Sequence, residues 1–191
     1  MQREHIRDRA LSLLEQCGFA RVSLPMLADE LTLPLTELSV YWPDREALHH
    51  DCLTYHAGQV DDWRSRVLQD EEMDAQQKLL ARYRILAEQV EQQRYPGCLF
   101  IAACSFYPET MHPIHQLAER QKHASYRYTR ALLVELEADD PTMVAQQMEL
   151  VLEGCLSKLL VKHNAQDVAV ARRLEEDILR LALCRKNGTL S

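Results

Sequence analysis

Apolar residues recur at helical spacing along almost the whole chain. Near the start, Ile6, Ala10, Leu13, Leu14 and Cys17 fall at positions i, i+4, i+7, i+8 and i+11, which places them on one face of a helix. The chain contains only five glycines, no run of β-branched residues and no Ser/Gly-rich linker. This pattern predicts an all-α protein of about nine helices.

Glycine, proline and capping residues divide the pattern into segments. The first helix is expected to end at Gly18, a residue type common at helix C-termini. Ser23 is a suitable N-cap for a short second helix, and a third short helix lies between Pro34 and Pro43. Asp44 is expected to cap a longer fourth helix. The longer helices predicted from here onwards cover residues 44–68, 73–93, 98–106, 112–138, 141–163 and 167–185.

Length and composition limit the kind of protein. A chain of 191 residues suits one large or two small domains, and we expect a first domain of residues 1–50 and a second of residues 51–191. No run of about 18 apolar residues is present to span a membrane, and the start, MQREHIRDRA, lacks the apolar stretch of a signal peptide. Six cysteines without a CxxC pair are typical of reduced, buried thiols. The expected location is the cytoplasm.

Two short helices joined by residues 32–34, with a longer helix before them, are typical of a helix-turn-helix unit. In that unit the second short helix presents one face to the major groove of DNA, and its other face packs on neighbouring helices. Because this helix is short, we expect Trp42 to anchor its C-terminal end. The residues then predicted to face DNA are Leu35, Thr36, Ser39, Val40 and Tyr41.

The helix that restarts after Pro43 belongs to the same prediction. Its N-terminal N–H groups and Arg45 are expected to lie where a DNA phosphate would bind. The other predicted DNA contacts are Arg3, Arg7, Arg21 and Ser23.

Charge is the main objection to DNA binding. The net charge is −7, and residues 1–50 contain eight acidic but only five basic side chains, a local net charge of −3. Phosphate neutralisation supplies much of the affinity of DNA-binding modules, so binding would depend on a narrow strip of arginines. We expect it to be weak and steeply salt-dependent. Glu37 either accepts a hydrogen bond from a cytosine amino group or only stabilises the helix N-terminus.

The segment GFARVSLPMLADELTLPLTELSVYWPDREAL resembles the DNA-binding segment of TetR/AcrR-type one-component transcriptional regulators. Three positions depart from the family pattern: Thr32 stands where glycine is usual, Ser39 where tyrosine is favoured, and Arg45 where lysine is usual. A non-glycine residue in a left-handed conformation costs on the order of 1 kcal/mol, so the first departure bears on the geometry of the turn. The positions that match the pattern are Gly18-Phe19, Ser23, Leu27-Ala28, Tyr41-Trp42 and residues 44–48.

The segments RYPGCLFIAACSFYPETMHPIHQLAERQK and DDPTMVAQQMELVLEGCLSKLL resemble the ligand-binding half of a subgroup of that family. The resemblance thus covers most of the chain. It implies a ligand-responsive repressor that binds a palindromic double-stranded DNA operator as a homodimer. It also implies a small-molecule effector of unknown identity, and no cofactor.

Aromatic and polar side chains of the middle helices are the expected lining of an effector pocket. By resemblance, the corresponding helices of the family surround such a cavity, although aromatic residues at helical spacing are also typical of an ordinary core. The predicted pocket residues are Trp63, Tyr83, Phe100, Cys104, Phe106, His115 and Tyr126.

Two wide apolar stripes near the C-terminus predict a partner helix. By resemblance, the last two helices build a four-helix bundle across a two-fold axis. The alternative is a purely intramolecular core. The predicted dimer-interface residues are Met148, Leu152, Cys155, Leu159, Leu174, Ile178 and Leu181.

The sequence supports three other functions less well: a metal or redox sensor, an enzyme, and a binding module with weak DNA recognition. Cys98, Cys104, His112 and His115 are of types that bind metals, but their spacing matches no standard zinc module; no metal site is predicted, and a metal- or redox-sensing role is only an alternative. The chain lacks the motifs of common enzymes, so no enzymatic activity is expected. The main alternative is a binding module that has the regulator fold, recognises DNA weakly, and acts through a ligand or protein partner.

Overall fold

The structure, a computed structural model, describes residues 2–92, 98–162 and 164–186. These residues form nine α-helices and contain no β-strand, which confirms the predicted all-α fold. The predicted helix ends at residues 93 and 163 lie outside the described residues. The helices are α1 (Gln2–Cys17), α2 (Leu24–Leu31), α3 (Leu35–Tyr41), α4 (Arg45–Gln69), α5 (Ala75–Glu91), α6 (Leu99–Phe106), α7 (Pro113–Glu135), α8 (Pro141–Val161) and α9 (Ala165–Lys186).

Capping residues explain where the first helices begin and end. Gly18, just after α1, has a left-handed backbone with φ 75°. At the start of α2 the Ser23 hydroxyl accepts a hydrogen bond of 3.4 Å from the N–H of Met26. At the start of α4, Oδ1 of Asp44 accepts one of 2.8 Å from the N–H of Ala47. These three caps are the ones predicted from the sequence.

The chain divides into two compact units. The first is Met1–Asp62 with Cys98–Lys122, and the second is Trp63–Gly97 with His123–Ser191. Helices α4 and α7 each contribute residues to both units. The predicted boundary at residue 50 lies between two expected functions and does not coincide with a boundary between these compact units. As a division of function it stays a prediction.

The core of the first unit lies under the two short helices. Side chains from α1, α2, α3, α4, α6 and α7 form one buried apolar cluster. The short helix α3 contributes Leu38, and Trp42 follows directly after the helix. The largest fully buried side chains of this core are Ile6, Leu14, Leu27, Leu38, Trp42, Leu48, Leu53 and Ile114.

The second unit has two buried apolar clusters. One joins α4, α5, α7, α8 and α9 around Leu79, Leu133 and Met148. The other joins α5, α8 and α9 around Tyr83 and Leu159. Within the described ranges, no helix is long and apolar enough to span a lipid bilayer.

Candidate nucleic-acid interface

The turn between α2 and α3 places a non-glycine residue in the left-handed region. Thr32 has φ 55° and ψ 41°, and its N–H donates to the Asp29 carbonyl at 3.3 Å, while the N–H of Leu33 donates to the Ala28 carbonyl at 3.0 Å. These bonds close the C-terminus of α2 in the way that glycine usually allows. The departure from the family pattern therefore leaves a left-handed turn in place.

The orientation of α3 is set by its buried side. Leu38 is 0% exposed and Trp42 is 1% exposed. At 3.6 residues per turn, a residue two positions away lies about 200° around the helix. Val40 is two positions from each of these anchors and is 79% exposed, so it points directly away from the core.

Four side chains form the outer face of α3: Leu35, Thr36, Ser39 and Val40, all exposed. Tyr41 is half-buried, with its ring edge-to-face against Trp42 at a centroid distance of 5.6 Å. The predicted exposure is confirmed for these four side chains and not for Tyr41. The contact of this face with DNA stays a prediction.

Two arginines of α1 contact residues of α4. Nη2 of Arg3 lies 3.0 Å from Oδ2 of Asp51, and the Arg7 guanidinium lies 3.6 Å from the ring centre of Tyr55. Half of the Arg3 side chain stays exposed, and Arg21 is exposed in the α1–α2 connection. The side chains of Arg3 and Arg21 are therefore accessible from solvent, and their contact with DNA stays a prediction.

Arg45 faces the protein rather than solvent, which differs from the expected phosphate contact. Its Nη2 donates to the carbonyl oxygens of Phe19 at 2.6 Å and Ala20 at 2.8 Å. Its guanidinium also lies 5.0 Å from the ring centre of Phe106. Because the α1–α2 connection supplies two acceptors, Arg45 fixes that connection against the start of α4.

Two other predicted polar contacts are engaged within the unit. Oε1 of Glu37 accepts a hydrogen bond from Nε2 of Gln2, so α3 is tied to the start of α1. Oγ of Ser23 accepts the capping bond of α2, although its hydroxyl hydrogen can still donate to a phosphate.

A buried histidine that the sequence did not single out lies behind the two short helices. His49 is 0% exposed; its Nδ1 lies 2.6 Å from the Tyr107 hydroxyl and its Nε2 lies 3.0 Å from the Val22 carbonyl. Burial lowers the pKa of His49 to about 4; the Arg45 charge acts in the same direction, and the Val22 carbonyl opposes it. The ring is therefore neutral, donating from Nε2 to Val22 and accepting at Nδ1 from Tyr107, whose pKa burial raises to about 12.

Comparisons with known proteins place this geometry in a family. A TetR transcriptional regulator from Legionella pneumophila superposes with a TM-score of 0.83 at 16% identity, over 94% of this chain and 97% of that one. The TetR-family regulator SCO4454 of Streptomyces coelicolor superposes with a TM-score of 0.86 at 15% identity, over 95% of each chain. These likenesses show the fold. The chain matches no protein-family model.

Sequence identity decides the family. The chain is 56% identical over 191 residues to the HTH-type transcriptional regulator YjdC of Escherichia coli (strain K12), and each chain is covered completely. The protein of the same name from Shigella flexneri matches to the same extent. The chain belongs to the family of HTH-type transcriptional regulators that includes YjdC, and it has the fold of TetR regulators.

The predicted effector residues of this regulator lie in both compact units. In the first unit, Phe100 is buried beside His56, with ring centres 5.2 Å apart, and Phe106 stacks on Phe19 at 6.2 Å. Nδ1 of His115 is 2.8 Å from the Tyr107 carbonyl. These side chains belong to, or border, the core under the short helices.

The cysteine and histidine cluster of this regulator does not assemble into a metal site. Among the described residues, no group of three or more His, Cys, Asp or Glu side chains is placed to hold a metal ion. The His112 ring instead stacks on Tyr107 at a centroid distance of 4.5 Å. Burial raises the pKa of the Cys104 thiol, which disfavours the thiolate that metals and oxidants require.

The remaining predicted effector residues lie in the second unit. The ring centres of Trp63 and Tyr128 are 6.2 Å apart. The ring centres of Tyr126 and His123 are 6.0 Å apart. Tyr83 is 1% exposed, so its ring is enclosed in the core of the second unit.

Tyr83 belongs to a buried charged cluster that the sequence did not reveal. Arg82 donates to Glu149 at 2.7 Å and to Glu175 at 2.6 Å, and the Tyr83 hydroxyl donates to Glu175 at 2.6 Å. Burial raises the pKa of Glu175. Burial acts the same way on Glu149, but the Arg82 charge and hydrogen bonds hold its pKa below the usual value. Among the residues that the structure describes, Nε of Arg82 and Oε2 of Glu175 have no hydrogen-bond partner.

The predicted dimer residues fall into two groups. Met148, Leu152, Cys155 and Leu159 are buried in the cores of the second unit, so they cannot contact a partner helix, which corrects that part of the prediction. Leu174 and Leu181 are exposed on α9, and Ile178 is half-buried beside them.

Helix α8 also has an exposed apolar stripe, on a different face from the buried residues just named. It consists of Met143, Leu150, Gly154 and Val161, at positions i, i+7, i+11 and i+18. On α9, exposed Val170 extends the line of Leu174 and Leu181. Both faces of α8 are apolar in the sequence, and the predicted interface lies on the face that the structure buries.

Proposed function

We propose that this regulator binds a palindromic operator as a homodimer, represses the adjacent gene, and responds to a small-molecule effector. The observation that carries the proposal is the orientation of α3. Its anchors, Leu38 and Trp42, are fully buried and Val40 is 79% exposed. A helix held in this way presents its outer face to a groove without rearrangement.

Dimerisation is supported by the exposed stripes of α8 and α9. Monomeric soluble proteins rarely expose long lines of large apolar side chains, and here Leu150 is 70% and Val161 89% exposed. Gly154 lies in the same line, where a missing side chain allows close helix approach. Two copies joined through these stripes would present two α3 helices, which suits successive major grooves about 34–36 Å apart.

Effector response is supported by the continuity of α4. The helix runs unbroken from Arg45 to Gln69, and its first turns carry Arg45 and His49, which contact the α1–α2 connection. An effector that favours one position of α4 would shift the operator-binding equilibrium in proportion to its differential affinity for the two states.

The acidic surface favours the second candidate, a binding module with weak DNA recognition. Arg9 forms an ion pair with Glu30, and Arg45 is used internally, so little basic charge is left free. Under this alternative the chain acts through a ligand or protein partner.

Selection of genomic fragments by the purified protein, followed by footprinting upstream of its own gene, separates the two functions. The proposal predicts two protected half-sites one helical turn apart, with binding that weakens as salt increases. Failure to enrich any sequence at low salt would leave only the alternative.

A further inference from the structure

The two short helices lack the side chains that usually read bases. Residues 24–41 contain no Lys, Arg, His, Asn or Gln. Bidentate recognition of guanine uses Arg or Lys, and that of adenine uses Asn or Gln. Direct readout from this segment must therefore rest on another type of contact.

The outer face of α3 is instead rich in methyl groups. Thr36 and Val40 are separated by one helical turn, and both lie two positions from the buried Leu38, so they form the centre of the exposed side. Leu35 beside them is 45% exposed. Single exposed apolar residues are ordinary on protein surfaces. Here the two apolar residues Leu35 and Val40 lie together with the Thr36 methyl on one side of a seven-residue helix.

The polar groups near this face are partly satisfied within the protein. The Ser39 hydroxyl donates to the Leu35 carbonyl at 2.9 Å, so its hydrogen is used inside the helix. Glu37 accepts a hydrogen bond from Gln2. The groups left at the centre of the exposed face are therefore the Val40 side chain and the methyl and hydroxyl groups of Thr36.

We propose that Val40 and Thr36 read thymine through its C5-methyl group, so that methyl-to-methyl contacts define the operator half-site. This inference rests on the proposed operator binding. Thymine is the base that presents a methyl group in the major groove, and Thr and small apolar side chains are suited to contact it. The half-site is then specified at its centre by thymine positions rather than by guanine contacts.

The test uses the selected operator with deoxyuridine in place of thymidine, one position at a time. Uracil keeps every hydrogen-bonding group of the base pair and removes only the methyl. At the positions under α3, fluorescence anisotropy should show a dissociation constant raised about fourfold per methyl, the factor expected for losing one buried methyl-sized group. The same change outside the half-sites is the control and should have no effect.

A variant assigns the effect to the side chain. Val40→Ala should weaken binding to the thymidine operator and abolish the difference between thymidine and deoxyuridine at one position. The substitution is at an exposed site, and circular dichroism melting verifies that the fold is unchanged.

Two results overturn the inference. Equal affinity for the two operators would show that no thymine methyl is read, while DNA binding and the proposed function stand. Unchanged DNA affinity of the Val40→Ala variant would assign the exposed face to another occupant, such as a protein partner. Absence of sequence-specific binding by the wild-type protein would instead contradict the proposed function itself.

Discussion

The indole Nε1 of Trp42 donates a hydrogen bond of 3.0 Å to Oδ2 of Asp51. The same carboxylate oxygen lies 3.0 Å from Nη2 of Arg3. Since Trp42 follows α3, Asp51 lies on α4 and Arg3 lies on α1, one carboxylate links three helices. The buried indole, together with Leu38, therefore fixes the direction in which α3 presents its outer face.

Substitution of Trp42 should separate packing from hydrogen bonding. Trp42→Ala removes a fully buried ring and should lower the free energy of unfolding by about 3–5 kcal/mol. Trp42→Phe keeps an aromatic ring but removes the indole hydrogen bond to Asp51, which then keeps only its contact with Arg3, and should cost about 1–3 kcal/mol. Urea unfolding measures both. Val40→Ala, at the exposed side of the same helix, is the control, and a similar loss in that variant would contradict the assigned orientation.

His49 should make the stability depend on pH. The folded pKa of about 4 lies below the ordinary value of 6.5, so between these pH values the unfolded chain binds more protons than the folded one. The contribution is complete above pH 6.5 and is lost as the pH falls towards 4. Burial also lowers the pKa of His56, so that ring contributes a loss of stability in the same direction. For His49 alone we expect a loss of about 2 kcal/mol between about pH 7.5 and about pH 5.

The assignment to His49 is tested by two matched variants. His49→Gln should remove most of this loss in urea titrations at the two pH values. His50→Gln, at an exposed position on the same helix, should retain it. A pH dependence that is as large in His49→Gln as in the wild-type protein would mean that another group, such as His56, carries it.

The buried charged cluster should be intolerant of partial removal. Arg82→Leu leaves two buried carboxylates without their cation and should destabilise the protein by about 3–5 kcal/mol. Arg84→Leu changes an exposed arginine on the same helix and should alter stability by less than about 0.5 kcal/mol. If Arg82→Leu unfolds at the wild-type urea concentration, the cluster contributes nothing to folding.

Thr32 should be a site of backbone strain. A β-branched residue at φ 55° is less stable there than glycine, and Thr32→Gly should raise the free energy of unfolding by about 0.5–1 kcal/mol. The control is Thr36→Gly, where glycine replaces a residue in a helical conformation inside α3. This change should lower the free energy of unfolding by about 1 kcal/mol. Destabilisation by Thr32→Gly would show that the threonine side chain stabilises the turn.

The dimer proposal predicts that one charge on the α8 stripe separates the subunits. Leu150→Glu places a carboxylate in the proposed interface, and sedimentation velocity should then show a monomer where the wild-type protein is a dimer. Met111→Glu changes another exposed apolar residue, 81% exposed in the first unit, and should leave the dimer intact. A wild-type monomer would contradict the proposal directly.

Local rules were enough to predict the helices and their caps. Ser23, Asp44 and the prolines beside α3 act within one or two turns of chain, so their effects can be read from spacing. The burial of Trp42 followed from the same reasoning, since a short helix needs a large anchor.

Long-range pairings could not be predicted in this way. His49 and Tyr107 are 58 positions apart, and Arg82 and Glu175 are 93 apart, so no local pattern joins them. The inward position of Arg45 depends on carbonyl groups near residue 20, which any sequence would supply. On α8 both sides of the helix are apolar, and only packing decides that Met148 is buried and Leu150 exposed.

Operator recognition by the outer face of α3 can be measured directly. The most direct test compares the operator affinity of the wild-type protein with that of a Thr36→Ala/Val40→Ala double variant, by fluorescence anisotropy on the selected duplex. We predict affinity about tenfold or more weaker in the variant, with an unchanged urea midpoint. Equal affinities of the two folded proteins for the operator would contradict the account.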